Sequence, residues 1–150
     1  MTEEDIKLNY ITPAINASGW KNGFNITMKT KITDGKINIK GNVASREKAK
    51  KVDYLLYFNK YHPIAVVEAK DNNHTISFGL QQAMTYAQML ELPFAYSSNG
   101  DGFCEHDVLT GMEREIGLDE FPTVDELVAR YKQEQNDSAG LNCSGYPLVL

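Results

Sequence analysis

The sequence predicts an α/β domain, and three observations carry that prediction. Runs of strand length that are apolar or alternate apolar with polar residues recur between Phe24 and Leu109. Segments with helix-cap signals or a 3.6-residue apolar period stand at the beginning, the middle and the end. The chain has 150 residues, 42% of them hydrophobic, enough to bury one sizeable core. The predicted order is α, β, β, β, β, α, β, β, α.

Thr2 and Asp5 are spaced to cap a first helix, with Ile6, Tyr10 and Ile11 near helical spacing. Pro13 is acceptable in a restarted first turn, and Ser18-Gly19 stops the helix ahead of Trp20. From Phe24 to Ile39 the pattern becomes alternation, broken by Asp34-Gly35, which predicts a hairpin. Gly41 to Lys51 is polar and charged and reads as a loop. Val52 to Phe58 and Pro63 to Ala69 read as two strands joined by the short turn Asn59-Lys60-Tyr61-His62. After the break Asp71-Asn72-Asn73-His74, a helix is expected from about Ser77 to Glu91, because Leu80, Ala83, Met84, Ala87 and Leu90 share one face. Pro93 ends it. Phe94 to Ser97 is a short buried strand, Asn99-Gly100-Asp101-Gly102 a turn, and Phe103 to Leu109 the next strand. Thr123 and Glu126 form a capping box for a last helix reaching about Gln135. Residues 1–135 are thus expected to form the domain. The Asn-, Ser- and Gly-rich stretch from Asn136, with its apolar end Tyr146-Pro147-Leu148-Val149-Leu150, reads as a linker (136–150) toward a further domain.

The two cysteines, Cys104 and Cys143, form no paired motif, the acidic start Glu3-Glu4-Asp5 is unlike a secretory signal, and no apolar run nears the ~20 residues of a membrane span. A soluble protein in a reducing, cytoplasmic setting is the expectation. A net charge of −5 argues against a chain that grips nucleic acid over its whole surface. That average conceals segregation: Lys21 to Lys60 holds ten basic residues against three acids, while Asp101 to Asp137 holds eleven acids against three basic residues. Lys29, Lys31, Lys36 and Lys40 read equally well as solvated strand faces or as phosphate-facing. Arg46, Lys48, Lys50 and Lys51 are the better candidates for DNA contact because they run directly into Asp53.

Asp53 and Glu68 are acids where strands normally exclude them, one opening an apolar strand and the other closing the next. If the strands pair as a hairpin, the two carboxylates converge at one end of the sheet. Converging carboxylates repel unless a cation joins them, and hard oxygen ligands suit Mg²⁺, held by one or two carboxylates plus a substrate phosphate. Lys70, two residues after Glu68, shares its strand face and brings a positive charge that can hold an attacking water and offset transition-state charge. Taken alone, Glu68-Ala69-Lys70 reads more simply as a surface ion pair. Gln82 and Tyr86, four apart on one helix face, can hydrogen-bond a phosphate, a base edge or Lys70. Singly, each reads as a solvated or core position.

Together, Asp53, Glu68-Ala69-Lys70 and Gln82-x-x-x-Tyr86 resemble the PD-(D/E)xK nuclease superfamily. Longer stretches narrow the resemblance: Tyr10-Ile11-Thr12-Pro13 to Gly19-Trp20, Val52 to Leu56, Pro63 to Lys70, Gln81 to Ala87 and Phe94 to Gly100. The chain is similar, over most of residues 1–135, to the N-terminal endonuclease domain of type I restriction enzyme R subunits. The resemblance implies a restriction-endonuclease-like mixed central sheet flanked by helices, and Mg²⁺-dependent hydrolysis of double-stranded DNA. It also implies an ATP-driven helicase-like motor beyond this chain, and modification (methyltransferase) and specificity subunits as partners. Asp53 and Glu68 match the metal-binding acids, Lys70 the catalytic lysine, and Gln82 and Tyr86 the Gln-x-x-x-Tyr pair. The Ala69 carbonyl is a further candidate ligand, and Glu4 matches an acid that related nucleases bring from the first helix, although Glu3 and Asp5 adjoin it. Val52 stands where the superfamily name has Pro. Two other readings remain: a nuclease-like fold kept for subunit assembly or DNA binding, and another PD-(D/E)xK nuclease acting on methylated or damaged DNA.

Other signals carry less. His62, His74 and His106 lack ligand spacing for zinc. Asn99 to Gly102 lacks the Lys-Ser/Thr of a nucleotide loop. Phe24, Tyr54, Phe58 and Tyr96 fit core packing better than base stacking, and the acidic C-terminal third fits a solvated face.

Overall fold

The computed structural model describes residues 2–33, 36–37 and 50–140. An N-terminal helical run comprises α1 (Glu3–Ile6), a π-helical segment (Lys7–Ile11) and α2 (Thr12–Ala17). Among the described residues seven strands follow: β1 (Ile26–Thr33), β2 (Lys36–Ile37), β3 (Lys50–Asn59), β4 (His62–Ala69), β5 (Phe94–Ser98), β6 (Phe103–Asp107) and β7 (Glu113–Ile116). Helix α3 (Leu80–Leu90) lies between β4 and β5, and a 3₁₀ turn (Leu118–Glu120) precedes α4 (Val124–Gly140). The strands form one sheet in the order β2-β1-β3-β4-β5-β6-β7. Among the described strands only β4 and β5 run parallel, as the α3 crossover requires, so the sheet is mixed and the α/β class holds. No described helix is long and apolar enough to cross a membrane.

The two sheet faces are packed by different helices. Alternation along β4 and β5 sends Ala65, Val67, Phe94 and Tyr96 to one side, where Ile6, Ile11, Ile15, Trp20, Phe121 and Leu127 cover them. Val66 and Ala95 face the other side, against Ala83, Tyr86 and Ala87 of α3. Each large side chain buried this way stabilises by roughly 1.5–3 kcal/mol. Trp20, fully buried, also donates its indole N–H to the Pro122 carbonyl at 2.9 Å, and the Ser18 hydroxyl donates to the Phe121 carbonyl at 2.6 Å. The N-terminal helices are thereby tied to the chain entering α4.

Thr2 and Asp5 form the capping box the sequence predicts, and Pro13 sits in the first turn of α2. Thr33 pairs with Lys36 and Ile32 with Ile37, which brackets the expected Asp34-Gly35 turn, itself outside the described residues. Gly100, at φ 92°, turns β5 into β6, and a Cβ there would come within 2.9 Å of Ile6, so both its backbone angle and its packing require glycine.

Several boundaries differ from expectation. Lys50 and Lys51, expected in a loop, belong to β3 because they pair with Ile32 and Lys31 of β1; Arg46 and Lys48 lie outside the described residues. Helix α3 starts at Leu80 rather than Ser77, since Ser97 and Asn99 bond the backbone of His74, Ile76 and Gly79. The strand from Phe103 stops at Asp107, whose carboxylate accepts from the amides of Leu109 and Thr110 and folds a turn through Gly111. Beyond it runs β7, which the sequence reading missed: its Glu-Arg-Glu pattern is that of an exposed, charged edge strand. Helix α4 continues to Gly140, so the first residues of the expected 136–150 linker are helical, and residues 141–150 lie outside the described residues.

One irregularity bears on the site. Lys29 has φ 54° in the middle of β1, between the pairs Met28↔Tyr54 and Thr30↔Val52, and so faces Asp53. Ile26 and Ile32 have the same parity, as do Tyr54 and Val52, yet each pair splits between the two faces. The pleat therefore switches at Lys29 and Asp53. A left-handed conformation at a lysine costs on the order of 1 kcal/mol or more.

Candidate active site

The β3–β4 hairpin brings Asp53 and Glu68 to one end of the sheet. Its last ladder pair is Tyr54↔Val67, and the same register would next place Asp53 opposite Glu68. There the strands part company. β3 stays paired with β1 as far as Lys50, β4 stays paired with β5 through Ala69↔Ser98, and side chains replace the missing ladder bonds. The amide of Asp53 donates to Glu68 Oε2 at 2.8 Å, and the amide of Ala69 donates to Asp53 Oδ2 at 2.9 Å. Each carboxylate thus satisfies the backbone beside the other, which removes two buried unpaired N–H groups and fixes both acids.

This proximity has an electrostatic consequence. Burial, followed by repulsion from Asp53, raises the Glu68 carboxyl to about 8, against the pull of the Asp53 amide and of Lys70. Without a cation the pair favours a protonated Glu68. Among the described residues no group of three or more His, Cys, Asp and Glu side chains is placed to hold a metal ion, so the oxygen donors oriented here are the two carboxylates of Asp53 and Glu68. That set fits Mg²⁺, which keeps several waters and takes one or two carboxylates, and whose charge would relieve the repulsion.

Lys70 follows β4, its amide donating to the Ser98 carbonyl at 2.9 Å. Its ammonium donates to Gln82 Oε1 at 3.3 Å, and Gln82 Nε2 donates to the Tyr86 hydroxyl at 2.7 Å. Gln82 and Tyr86 share a face of α3, as their spacing predicts, and they form a chain of bonds that ends on Lys70. Burial raises the Tyr86 phenol. The segment between Lys70 and α3 is pinned to β5: Ser97 Oγ accepts from the Gly79 amide at 3.0 Å and donates to the Ile76 carbonyl at 2.8 Å, and Asn99 Nδ2 donates to the His74 carbonyl at 2.8 Å. At Gly79 a Cβ would lie 3.1 Å from Ser97 Oγ and 3.3 Å from Lys70 Cγ, so a side chain there would press on both. Phe78 is exposed, stacks on His74 and carries the Lys70 ammonium 6.0 Å from its ring centroid.

The first helix adds a residue that sequence reasoning missed. Lys7, 3% exposed, donates to Asp53 Oδ1 at 3.0 Å and to Glu4 Oε1 at 3.3 Å, and lies 3.9 Å from Glu3. Burial opposes its charge, but Asp53 and then Glu4 outweigh burial and hold its pKa above the ordinary lysine value. Glu4 is mostly exposed, and Lys7 lowers its carboxyl; it also meets Lys29 at 3.6 Å. Glu3 is the first-turn acid raised by Asp53, after burial. Spacing alone makes Lys7 an ordinary partner of Glu3 and Glu4 on a helix, so the sequence carries no signal of its contact with Asp53. Lys50 and Lys51 are exposed at the start of β3, on the strand that carries Asp53.

Comparison with known proteins gives concordant results. Residues 25–122 match a family model described as the type I restriction enzyme R protein N terminus, a span that includes Asp53, Glu68, Lys70, Gln82 and Tyr86 but not Lys7. Over 135 residues the chain is 40% identical to the type I restriction enzyme EcoAI endonuclease subunit of Escherichia coli, covering 87% of this chain and 17% of that protein. It is also similar to a solved fragment assigned to an HsdR subunit of a type I restriction enzyme from Vibrio vulnificus YJ016, with 42% identity and a TM-score of 0.76 over 90% of this chain and 26% of that one. The chain therefore spans well under a third of the length of either protein.

Proposed function

The chain belongs to the family of type I restriction enzyme R protein N-terminal regions, and from that premise we propose that it is a Mg²⁺-dependent endonuclease domain hydrolysing phosphodiester bonds of double-stranded DNA. The observation that carries this reading is the pair of crossed carboxylates, Asp53 and Glu68, at a splayed sheet end beside an oriented lysine.

Asp53 and Glu68, with the Ala69 carbonyl, would hold the ion. When bound, Mg²⁺ supplies charge neutralisation at the phosphate and lowers the pKa of a coordinated water. Lys70, whose charge reaches Glu68 through space, would orient the attacking water and offset charge building on the phosphate oxygens. Gln82 holds that ammonium through Oε1, and Tyr86 holds Gln82, so α3 fixes the direction of Lys70. Lys50 and Lys51, with Arg46 and Lys48, supply phosphate contacts on the approach to Asp53.

The net charge of −5 gives poor unaided affinity for DNA at physiological salt. We therefore place the domain in a larger cytoplasmic R subunit. There an ATP-driven motor, with modification and specificity subunits, delivers the DNA. The test uses the full restriction complex with Mg²⁺ and ATP. Asp53→Ala and Lys70→Ala should each lower DNA cleavage by ~10²–10³-fold or more, in line with loss of a key charge at a reacting centre, while ATP hydrolysis continues. Normal cleavage by both variants would overturn the assignment.

A further inference from the structure

A buried ammonium inside an acidic centre proposed to bind a divalent cation requires an explanation. Lys7 is more deeply buried than Asp53, with side-chain exposures of 4% and 17%, and it contacts three carboxylates. It opens the π-helical segment Lys7–Ile11, a rare departure from the α-helix that is frequent at functional sites. It also occupies one oxygen of Asp53 while the Ala69 amide occupies the other. A divalent cation bound to Asp53 must then share that carboxylate with a fixed positive charge, and the two cations repel.

We propose that Lys7 is the resident counter-cation of this centre: it neutralises Asp53 in the metal-free protein and weakens divalent-cation binding by competing for the same carboxylate. Glu3, Glu4, Asp53 and Glu68 bring four acids near one sheet end, and Lys7 is the buried positive charge that lets them assemble before any metal arrives. The cost is a lower metal affinity. This inference rests on the metal-binding reading of Asp53 and Glu68.

The test titrates Mn²⁺ into this chain and follows free Mn²⁺ by electron paramagnetic resonance, with binding that survives Asp53→Asn subtracted. Lys7→Gln keeps an N–H donor and removes the charge; it should bind Mn²⁺ at least ~10-fold more tightly than wild type, whereas Lys7→Arg should stay within ~2-fold. The metal-free Lys7→Gln chain should melt at a lower temperature, and Mn²⁺ should raise its Tm by more than it raises that of wild type. A variant that folds only with Mn²⁺ also supports the inference. Equal or weaker Mn²⁺ binding by a folded Lys7→Gln chain overturns it and leaves the metal site standing, as does failure to fold at any Mn²⁺ concentration. If neither wild type nor Lys7→Gln binds millimolar Mn²⁺ through Asp53, the metal reading itself falls and the inference with it.

Discussion

Glu68 and Glu105 are both buried glutamates on strands of one sheet, 3% and 2% exposed, yet their surroundings are opposite. Glu105 accepts from Arg114 at 2.9 Å, from both terminal nitrogens of Arg130 at 3.0 and 3.1 Å, and from the Tyr96 hydroxyl. Burial opposes its ionisation, but Arg130 and Tyr96 outweigh burial and hold its carboxyl below the ordinary range. Glu68 has one amide, a neighbouring carboxylate and a more distant lysine, and its carboxyl is pushed up. Burial is common to both, so the difference lies in compensation. A fully paired carboxylate joins β6 to α4, whereas the under-paired one keeps its proton more readily than an ordinary glutamate.

The sharpest way to break this comparison is to neutralise each acid in turn. Glu68→Gln should lower DNA cleavage by the full complex ~10³-fold without destabilising the metal-free chain at pH 8, as cleavage assays and urea melts will read. Glu105→Ala should leave Mn²⁺ binding unchanged and cost roughly 3–5 kcal/mol of stability, because it strands Arg130 and the Tyr96 hydroxyl; equal stability losses for the two variants would erase the distinction.

Titration separates the two acids next. Glu68 moves from an ordinary 4.5 to about 8 on folding, so between those values the unfolded chain has released a proton that the folded chain keeps. Its effect is a metal-free stability that falls as pH rises through that window and levels off above about 8, by a few kcal/mol in order of magnitude. Glu105 is shifted the other way; its contribution is complete above 4.5 and is lost as pH falls through its lowered value. Urea midpoints from pH 3 to 9 should fall across the upper window in wild type and stay flatter in Glu68→Gln, and Mg²⁺ should restore stability at pH 8. The smallest effects concern the orienting bonds: Gln82→Ala should slow cleavage by about 10-fold and Tyr86→Phe by about 2- to 5-fold, the range of single hydrogen bonds, with Mn²⁺ affinity unchanged in both.

Much of this architecture is legible in the chain. β3, β4 and α3 follow from apolar patterning, and the antiparallel pairing of β3 with β4 suffices to bring Asp53 beside Glu68. What escapes sequence reading is whatever depends on contacts between distant segments. Lys7 looks like a solvated helix residue until the N-terminal run packs against β3. The left-handed Lys29 carries no glycine or asparagine signal, since tertiary pairing with β3 imposes it. Edge strand β7 has no apolar alternation because one neighbour and open solvent ask for none. Arg114 and Arg130, distant in sequence from Glu105, become its partners only once β7 and α4 are in place.

The parting of β3 from β4 supplies an optical bench of its own for amide exchange. Inside a sheet protected by backbone ladders, the amides of Asp53 and Ala69 lean on carboxylate oxygens instead, and any cation that draws those oxygens toward itself loosens two identifiable protons. Hydrogen exchange at Asp53 and Ala69 should therefore quicken with Mg²⁺ while Val67 and Tyr54, one step inside the ladder, stay protected.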